Sequence, residues 1–542
     1  MAFSPSRDNG LIWLLRDIDL LGVLLRAVTL SFEALLLGGV AYLLAVARPA
    51  RASATVEFFC LRGIRWAALA MALAEVATVT LSGASLLGDS DLRLRDLINT
   101  MFFRAGLTAA LLAVLLWICA RVKSRKAGAA MIPLSLLLLA AAVSTSHAIA
   151  RMDHRLLLAV VTVAHHLGTA AWIGAMPFLL ISLGRAESVE EARAMASRYS
   201  SMALVSVTVL VLAGVCLAWF YVGTWNGLYG TAYGVLLIAK IYLLLVMVLM
   251  GVGNWMLVRR LNIHPGPLLA RLRRFAEAEV GLGFTAILVA ASMSAQPPAV
   301  DVLDKMSLHV IAARMHPEMP RMKSPAVSQL TPPTSLETAV RENEFQANGG
   351  SDATDRAWSE YNHHWAGLIV LVAGLLALLS RFPGMRWARF WPLSFAGLAV
   401  FILLRADPEN WPLGPRPFWA SFSAPDVLQH RVAAVLILGF AAFECAVQAG
   451  KLRARWAAMV FPTMCALGAA LLLTHNHAPS DTKEDLLASL SHTPIALLGA
   501  TAGWSRWLEL RLPPGRAARI AGYIWPLFLA AAGLVLLNYR ET

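Results

Sequence analysis

Apolar runs of about twenty residues recur along this chain, and they limit its fold more than any other feature. A run of that length crosses the hydrocarbon core of a bilayer as a helix, because in lipid every backbone N–H and C=O must find its partner within the segment. About fourteen segments qualify. They lie near 20–47, 66–87, 101–120, 131–150, 156–183, 201–222, 233–257 and 277–296, then 365–380, 390–404, 427–448, 457–474, 489–510 and 520–538. The predicted fold class is all-α, a polytopic integral membrane helical bundle. Composition agrees: 58% of residues are hydrophobic and 15% charged, where a soluble domain carries roughly 25%. A soluble globular fold and intrinsic disorder are both excluded.

The stretch 297–362 interrupts the series with Gln296-Pro297-Pro298, Pro332-Pro333 and Asn348-Gly349-Gly350-Ser351. It divides the chain into an eight-helix domain (1–300), a linker (301–362) and a six-helix domain (363–542). Basic residues crowd alternate loops. One set holds Arg48, Arg51, Arg62 and Arg65, then Arg121, Lys123, Arg125 and Lys126, then Arg259, Arg260, Arg271, Arg273 and Arg274, and continues through Arg381, Lys451 and Arg511. The intervening short loops are poor in Lys and Arg. The positive-inside rule then puts both termini and the linker on the periplasmic side. The net charge of +13 follows from topology, and no nucleic-acid partner is required.

The thirteen histidines are distributed unevenly on this map. Only His264 falls in a loop of the basic set. His147 and His154 lie at the outer end of the fourth span, His363 and His364 open the ninth, and His430 opens the eleventh. His475 and His477 close the twelfth and His492 opens the thirteenth. Imidazole is a common metal ligand and titrates near neutral pH, so helix-end imidazoles at one level are candidate ligands; solvated interfacial residues are the alternative. His165 and His166 sit about ten residues into the fifth span, roughly 15 Å deep, where a polar group is a functional candidate by default. Adjacent helix residues point about 100° apart. One of the pair is expected to face a pathway and the other to bond a neighbouring helix; two packed core imidazoles are the alternative. Glu33, Glu75 and Lys240 are the other intramembrane ionisable residues singled out, for ion or proton movement or for helix packing.

The linker adds thioethers. Met306, His309, Met315, His316, Met319 and Met322 fall within one short stretch, and thioether with imidazole suits Cu(I) better than Cu(II), Mg²⁺ or Ca²⁺. Cys60, Cys119, Cys216, Cys445 and Cys465 form no CxxC, so neither a disulfide framework nor a thiolate zinc site is indicated. There is no P-loop, GxSxG elbow, HExxH or Rossmann fingerprint, which argues for a transporter over an enzyme and against an ATP-driven pump.

His166-Leu-Gly-Thr-Ala-Ala-Trp172-Ile-Gly174 resembles the histidine–tryptophan–glycine helix of the CopD copper-resistance D family. Thr231-Ala-Tyr233-Gly234, leading to Lys240 and then Gly253-Asn254 before a basic loop, is similar to that family as well, as is Pro297-Pro298. The resemblance covers about 20–300. It implies a bacterial inner-membrane protein that moves copper from periplasm to cytoplasm, often with a periplasmic carrier of CopC type. The six-helix part resembles an extension on longer CopD-like proteins. Two other readings stay open: a b-type haem redox protein, with axial ligands among His364, His430, His475 and His492, and a membrane copper chaperone for cuproenzyme assembly. At least three of the rings of His364, His430, His475, His477 and His492 are expected to converge.

Overall fold

The computed structural model describes residues 18–89, 93–122, 124–260, 265–325, 350–408, 410–415, 417–419, 425–474 and 482–540. Every regular element among them is helical. Among the described residues, thirteen helices are long and apolar enough to cross a membrane. They fall into two compact units, one of Met1–Lys305 with Leu473–Asp485 and one of Met306–Leu472 with Leu486–Thr542.

The first unit contains α1 (Ile18–Tyr42), α2 (Ala54–Asp89), α3 (Met101–Cys119), α4 (Arg125–Ser144) and α5 (Arg155–Thr169). It continues with α6 (Met176–Leu183), α7 (Val189–Val222), α8 (Ala232–Arg260) and α9 (Pro265–Ala295). A π-helical segment, Ala170–Gly174, joins α5 to α6, so that the two form one interrupted span. α1 is central: it packs on α2, α5, α6, α9 and the π segment. A helix that is apolar all round belongs inside a bundle, and 61% of the α1 span is buried against 17% of α7. The exposed Leu204, Leu212, Val215 and Trp219 of α7 form a lipid-facing surface.

Lipid offers no hydrophobic drive for helix pairing, so close packing depends on small residues. At the α1 crossing, a Cβ built on Gly38 would lie 2.3 Å from the Ala170 carbonyl oxygen, and one on Gly174 would lie 1.8 Å from the Ala34 oxygen. Both positions are therefore closed to any larger residue, and the two backbones touch directly.

The second unit contains α10 (Leu308–Arg314), α11 (Gly350–Leu379), α12 (Leu393–Arg405), α13 (Pro425–Gln448), most of α14 (Val460–Thr474), most of α15 (Thr482–Arg511) and α16 (Arg516–Leu537). Gly374 and Gly533 let α11 and α16 pack backbone to backbone. Trp391, Phe461 and Trp525 form an aromatic core, and the Trp391–Phe461 centroids are 4.9 Å apart.

One segment assigned as a span from hydropathy is too short. α12 has 13 residues, about 20 Å of helix against a core of about 30 Å. Pro392 and the 3₁₀ turn Arg386–Phe390 before it take up residues that would otherwise extend it. Its C-terminal end meets the start of α13, where Arg431 donates to the Leu403 carbonyl at 2.6 Å. The two helices thus form an antiparallel hairpin.

Candidate functional site

The interior of the first unit is polar at one level. Glu33 is 3% exposed, and its Oε1 lies 2.7 Å from His166 Nδ1. With the carboxylate ionised, the donor on that contact is Nδ1–H. This fixes the tautomer and leaves Nε2 with the lone pair. Arg26 lies on the same strip of α1, two turns from Glu33. Glu75 of α2 is within electrostatic reach of both. Counted along their spans, Glu33, Glu75 and His166 all lie about 10–12 residues from the helix ends opposite the basic loops, roughly 15–18 Å deep.

His165 turns away from this group. Its Cε1 faces Gly214 of α7, and Lys240 of α8 is close enough to act on it electrostatically. Its buried Nδ1 has no hydrogen-bond partner, and leaving such an atom unpaired costs about 1–3 kcal/mol. The two adjacent imidazoles thus serve different neighbours, His166 toward α1 and His165 toward α7 and α8.

Below them the π segment widens the helix. Its closing bond runs from Ala175 N–H to the Ala170 carbonyl at 2.9 Å. The Trp172 carbonyl accepts from Tyr199 Oη at 2.7 Å. π-helical turns of this kind concentrate at functional sites. Beyond the turn is a cavity of about 60 Å³ lined by Trp172, Met176, Tyr199, Asn254 and Glu279, among others. Asn254 Nδ2 donates to Glu279 Oε1. Of these residues only Asn254 and Trp172 were marked in the sequence, both as parts of a family resemblance. Glu279 was missed although it lies inside the predicted span 277–296, because it stands at the first residues of that span, just after Arg271, Arg273 and Arg274 of the basic loop. Those residues belong to the first part of α9, and Arg274 and Glu277 pair on its surface. Arg26 was missed inside the first apolar run, because its electrostatic neighbour Glu75 is on the next helix, 49 residues on in the sequence.

Three histidines of the second unit meet at Tyr539. His364, 2% exposed, accepts the Arg321 N–H on Nδ1 at 2.7 Å and donates from Nε2 to the Tyr539 carbonyl at 2.8 Å. Both ring nitrogens are committed. The His363 ring stacks on Tyr539 at 3.9 Å between centroids, and its Nδ1 is 2.8 Å from the Ser359 carbonyl. His492 meets Tyr539 edge-on at 5.9 Å and places Nδ1 2.8 Å from the Ala488 carbonyl. His430 instead pairs with Asp407 Oδ1 at 2.9 Å. His475 and His477 lie outside the described residues. A haem axial ligand needs a free ring nitrogen, so His364 does not fit that role here.

The remaining candidates are spread out. His147 Nε2 is 3.2 Å from the Ser294 carbonyl, and His154 packs on Phe220. In the linker, Met306 is buried, contrary to the exposed position its polar surroundings suggest, while His309, His316 and Met319 are exposed and Met315 and Met322 half-buried. This stretch is held to the second unit by Arg540, which pairs with Glu318 and Glu360, and by Trp365 Nε1 donating to the Met322 carbonyl at 3.2 Å. Among the described residues no three His, Cys, Asp or Glu side chains converge as a ready ligand set.

These features define a polytopic helical membrane protein whose first unit has a polar interior. Residues 193–293 match the family model CopD, described as copper resistance protein D. About a fifth of the chain thus resembles CopD, within a protein whose helices are able to cross a membrane. The matched residues run from α7 to α9 and include Gly214, Lys240, Asn254 and Glu279; Glu33 and His166 precede them. Neither the curated proteins nor the solved structures contain a match.

Proposed function

We propose that the protein carries copper through its first helical unit, from the periplasm to the cytoplasm across a bacterial inner membrane. The observation that carries this reading is the Glu33–His166 pair. A carboxylate that receives Nδ1–H orients an imidazole and raises the basicity of Nε2, which is how proteins prepare histidine for a metal. A cation arriving there meets the Glu33 carboxylate, whose negative charge offsets the cost of placing it in a low-dielectric interior. His165 Nδ1, buried and unpartnered, is the next donor. The cargo is Cu(I), for which imidazole is a suitable ligand and exposed thioethers such as Met319 a suitable first contact. A periplasmic carrier of CopC type delivers it. The haem reading loses support because His364 has no nitrogen to offer, and no observation favours a chaperone.

The test is flux. The full chain, reconstituted in liposomes with copper kept reduced outside, is expected to load the lumen with copper at a rate above empty vesicles; equal rates would end the transport reading. Orientation has its own check. A cysteine replacing Met319, which is 91% exposed, is expected to react with a membrane-impermeant thiol reagent in intact spheroplasts. Labelling only after lysis would reverse the assigned direction.

A further inference from the structure

Glu279 has no place in the copper path as described, yet it is the most deeply enclosed carboxylate of the cavity beyond the π segment. It is 3% exposed, and among the described residues no Lys, Arg or His pairs with it. The group that holds it is a neutral amide, Asn254 Nδ2. Asn254 Oδ1 is itself buried without a partner. Tyr199 of α7, the titratable group facing Glu279 from a neighbouring helix, is committed to the Trp172 carbonyl. On its own helix, Glu277 is engaged by Arg274 and Arg273. The α8 residues that line the cavity, Asn254 and Trp255 among them, carry no charge, and neither do Trp172 of the π segment and Met176 and Leu179 of α6.

An ionised carboxylate without a countercharge is expensive in such a place. Glu279 is therefore neutral only when it holds a cation or a proton. The donors around the cavity, a carboxylate, an amide, a phenol and the Ser200 hydroxyl with one thioether, are mostly hard oxygens and match Cu(I) poorly. A Ca²⁺ ion asks for six to eight oxygen ligands, more than this wall offers. The space of about 60 Å³ exceeds the roughly 10–15 Å³ that a water needs. Asn254 is six residues from Arg260, the last residue of α8, so the cavity lies about 9 Å from the basic end of the helices.

We propose that Glu279, held by Asn254, is a proton-binding station in this cavity and that cation passage through the first unit is coupled to proton movement there. The carboxylic O–H breaks as the proton passes to cavity water, and forms again when the next proton arrives; no electron changes hands. The coupling rests on the copper reading above, while the station itself does not.

Both parts are testable on the full chain in membranes. Infrared difference spectra taken on stepping the pH are expected to show a protonated-carboxyl C=O band that is missing in Glu279→Gln. That variant keeps an acceptor for Asn254 Nδ2, which favours folding. Asn254→Ala provides a second measure, a shifted midpoint for the same band. In liposomes, reduced-copper uptake by the wild type is expected to respond to an imposed proton gradient. Glu279→Gln should retain uptake down a copper gradient and lose that response. A band that persists in Glu279→Gln, or a midpoint unmoved by Asn254→Ala, overturns the station. A full proton response in Glu279→Gln overturns the coupling. A wild type with the band but no copper flux would sink the copper reading and leave the station standing.

Discussion

His166 in the first unit and His364 in the second are both imidazoles set into helical membrane bundles, and they are equipped for different work. His166 gives one nitrogen to a buried carboxylate and keeps the other. His364 spends one nitrogen on the Arg321 N–H and the other on the Tyr539 carbonyl. The residue type is shared; the partners differ. A carboxylate partner prepares a ring for a cation, whereas two backbone partners turn it into a fastener. The second unit uses that fastener, with the Tyr539 stack and the Arg540 pairs, to hold the linker and the last helix to α11.

The sharpest way to break this contrast is to remove each ring. His166→Ala is expected to lower copper uptake by more than about a hundredfold, beyond the 10–100-fold typical of losing a supporting partner, with the protein still folded and inserted. His364→Ala is expected to leave uptake per folded molecule unchanged. Equal losses in the two variants, measured in the same liposomes, would erase the distinction. Next in size is Glu33→Gln, which keeps the shape of the pair and removes its charge. A drop of about 10–100-fold in apparent copper affinity is expected; wild-type affinity would demote Glu33 to a packing residue. His364→Ala has its own cost, in stability. It strands the Arg321 N–H and the Tyr539 carbonyl, at roughly 1–3 kcal/mol for each group left unpaired in the interior, and thermal unfolding in detergent reads the loss directly.

The smallest effect is expected at Glu318. The Arg540 guanidinium hydrogen-bonded to it holds its carboxyl below the ordinary carboxylate range. A depressed folded-state value stabilises above the unfolded value and is lost as pH falls through the folded one. Any difference between wild type and Glu318→Gln in unfolding temperature should thus be present at neutral pH and vanish in acid. Glu318 is solvent-exposed and its charge is screened, so the difference should also shrink with salt. A difference that grows on acidification would contradict the assignment.

Hydropathy made most of the helices legible, because twenty apolar residues in a row have few alternatives. It failed at α12, where a 3₁₀ turn and Pro392 shorten a segment whose composition still reads as a span. His166 and Glu33 were visible as isolated polar residues at depth, but their pairing joins residues 133 apart in sequence and no periodicity reports it. The one-sided placement of histidines suggested convergent ligands. At His363 and His492 the ring bonds the carbonyl four residues back, a local interaction that position along the span does not reveal. Glu279 fell at the very start of the predicted span 277–296, where it read as a boundary residue; α9 begins at Pro265, so Glu279 lies well inside the helix.

The contact between Gly38 and Gly174 also limits how the first unit can move. With no side chains between them, the two backbones cannot come closer, and separating them forfeits the packing that holds them together. The motion that keeps the contact is a swing about it, as of two crossed rods pinned at one point. Glu33 is next to Ala34, whose carbonyl forms the other side of that pin, and His166 is two turns from Gly174 on the opposite rod. The pair therefore sits close to that fixed point, one residue on each rod, where the Glu33–His166 contact depends directly on the angle at which the rods cross.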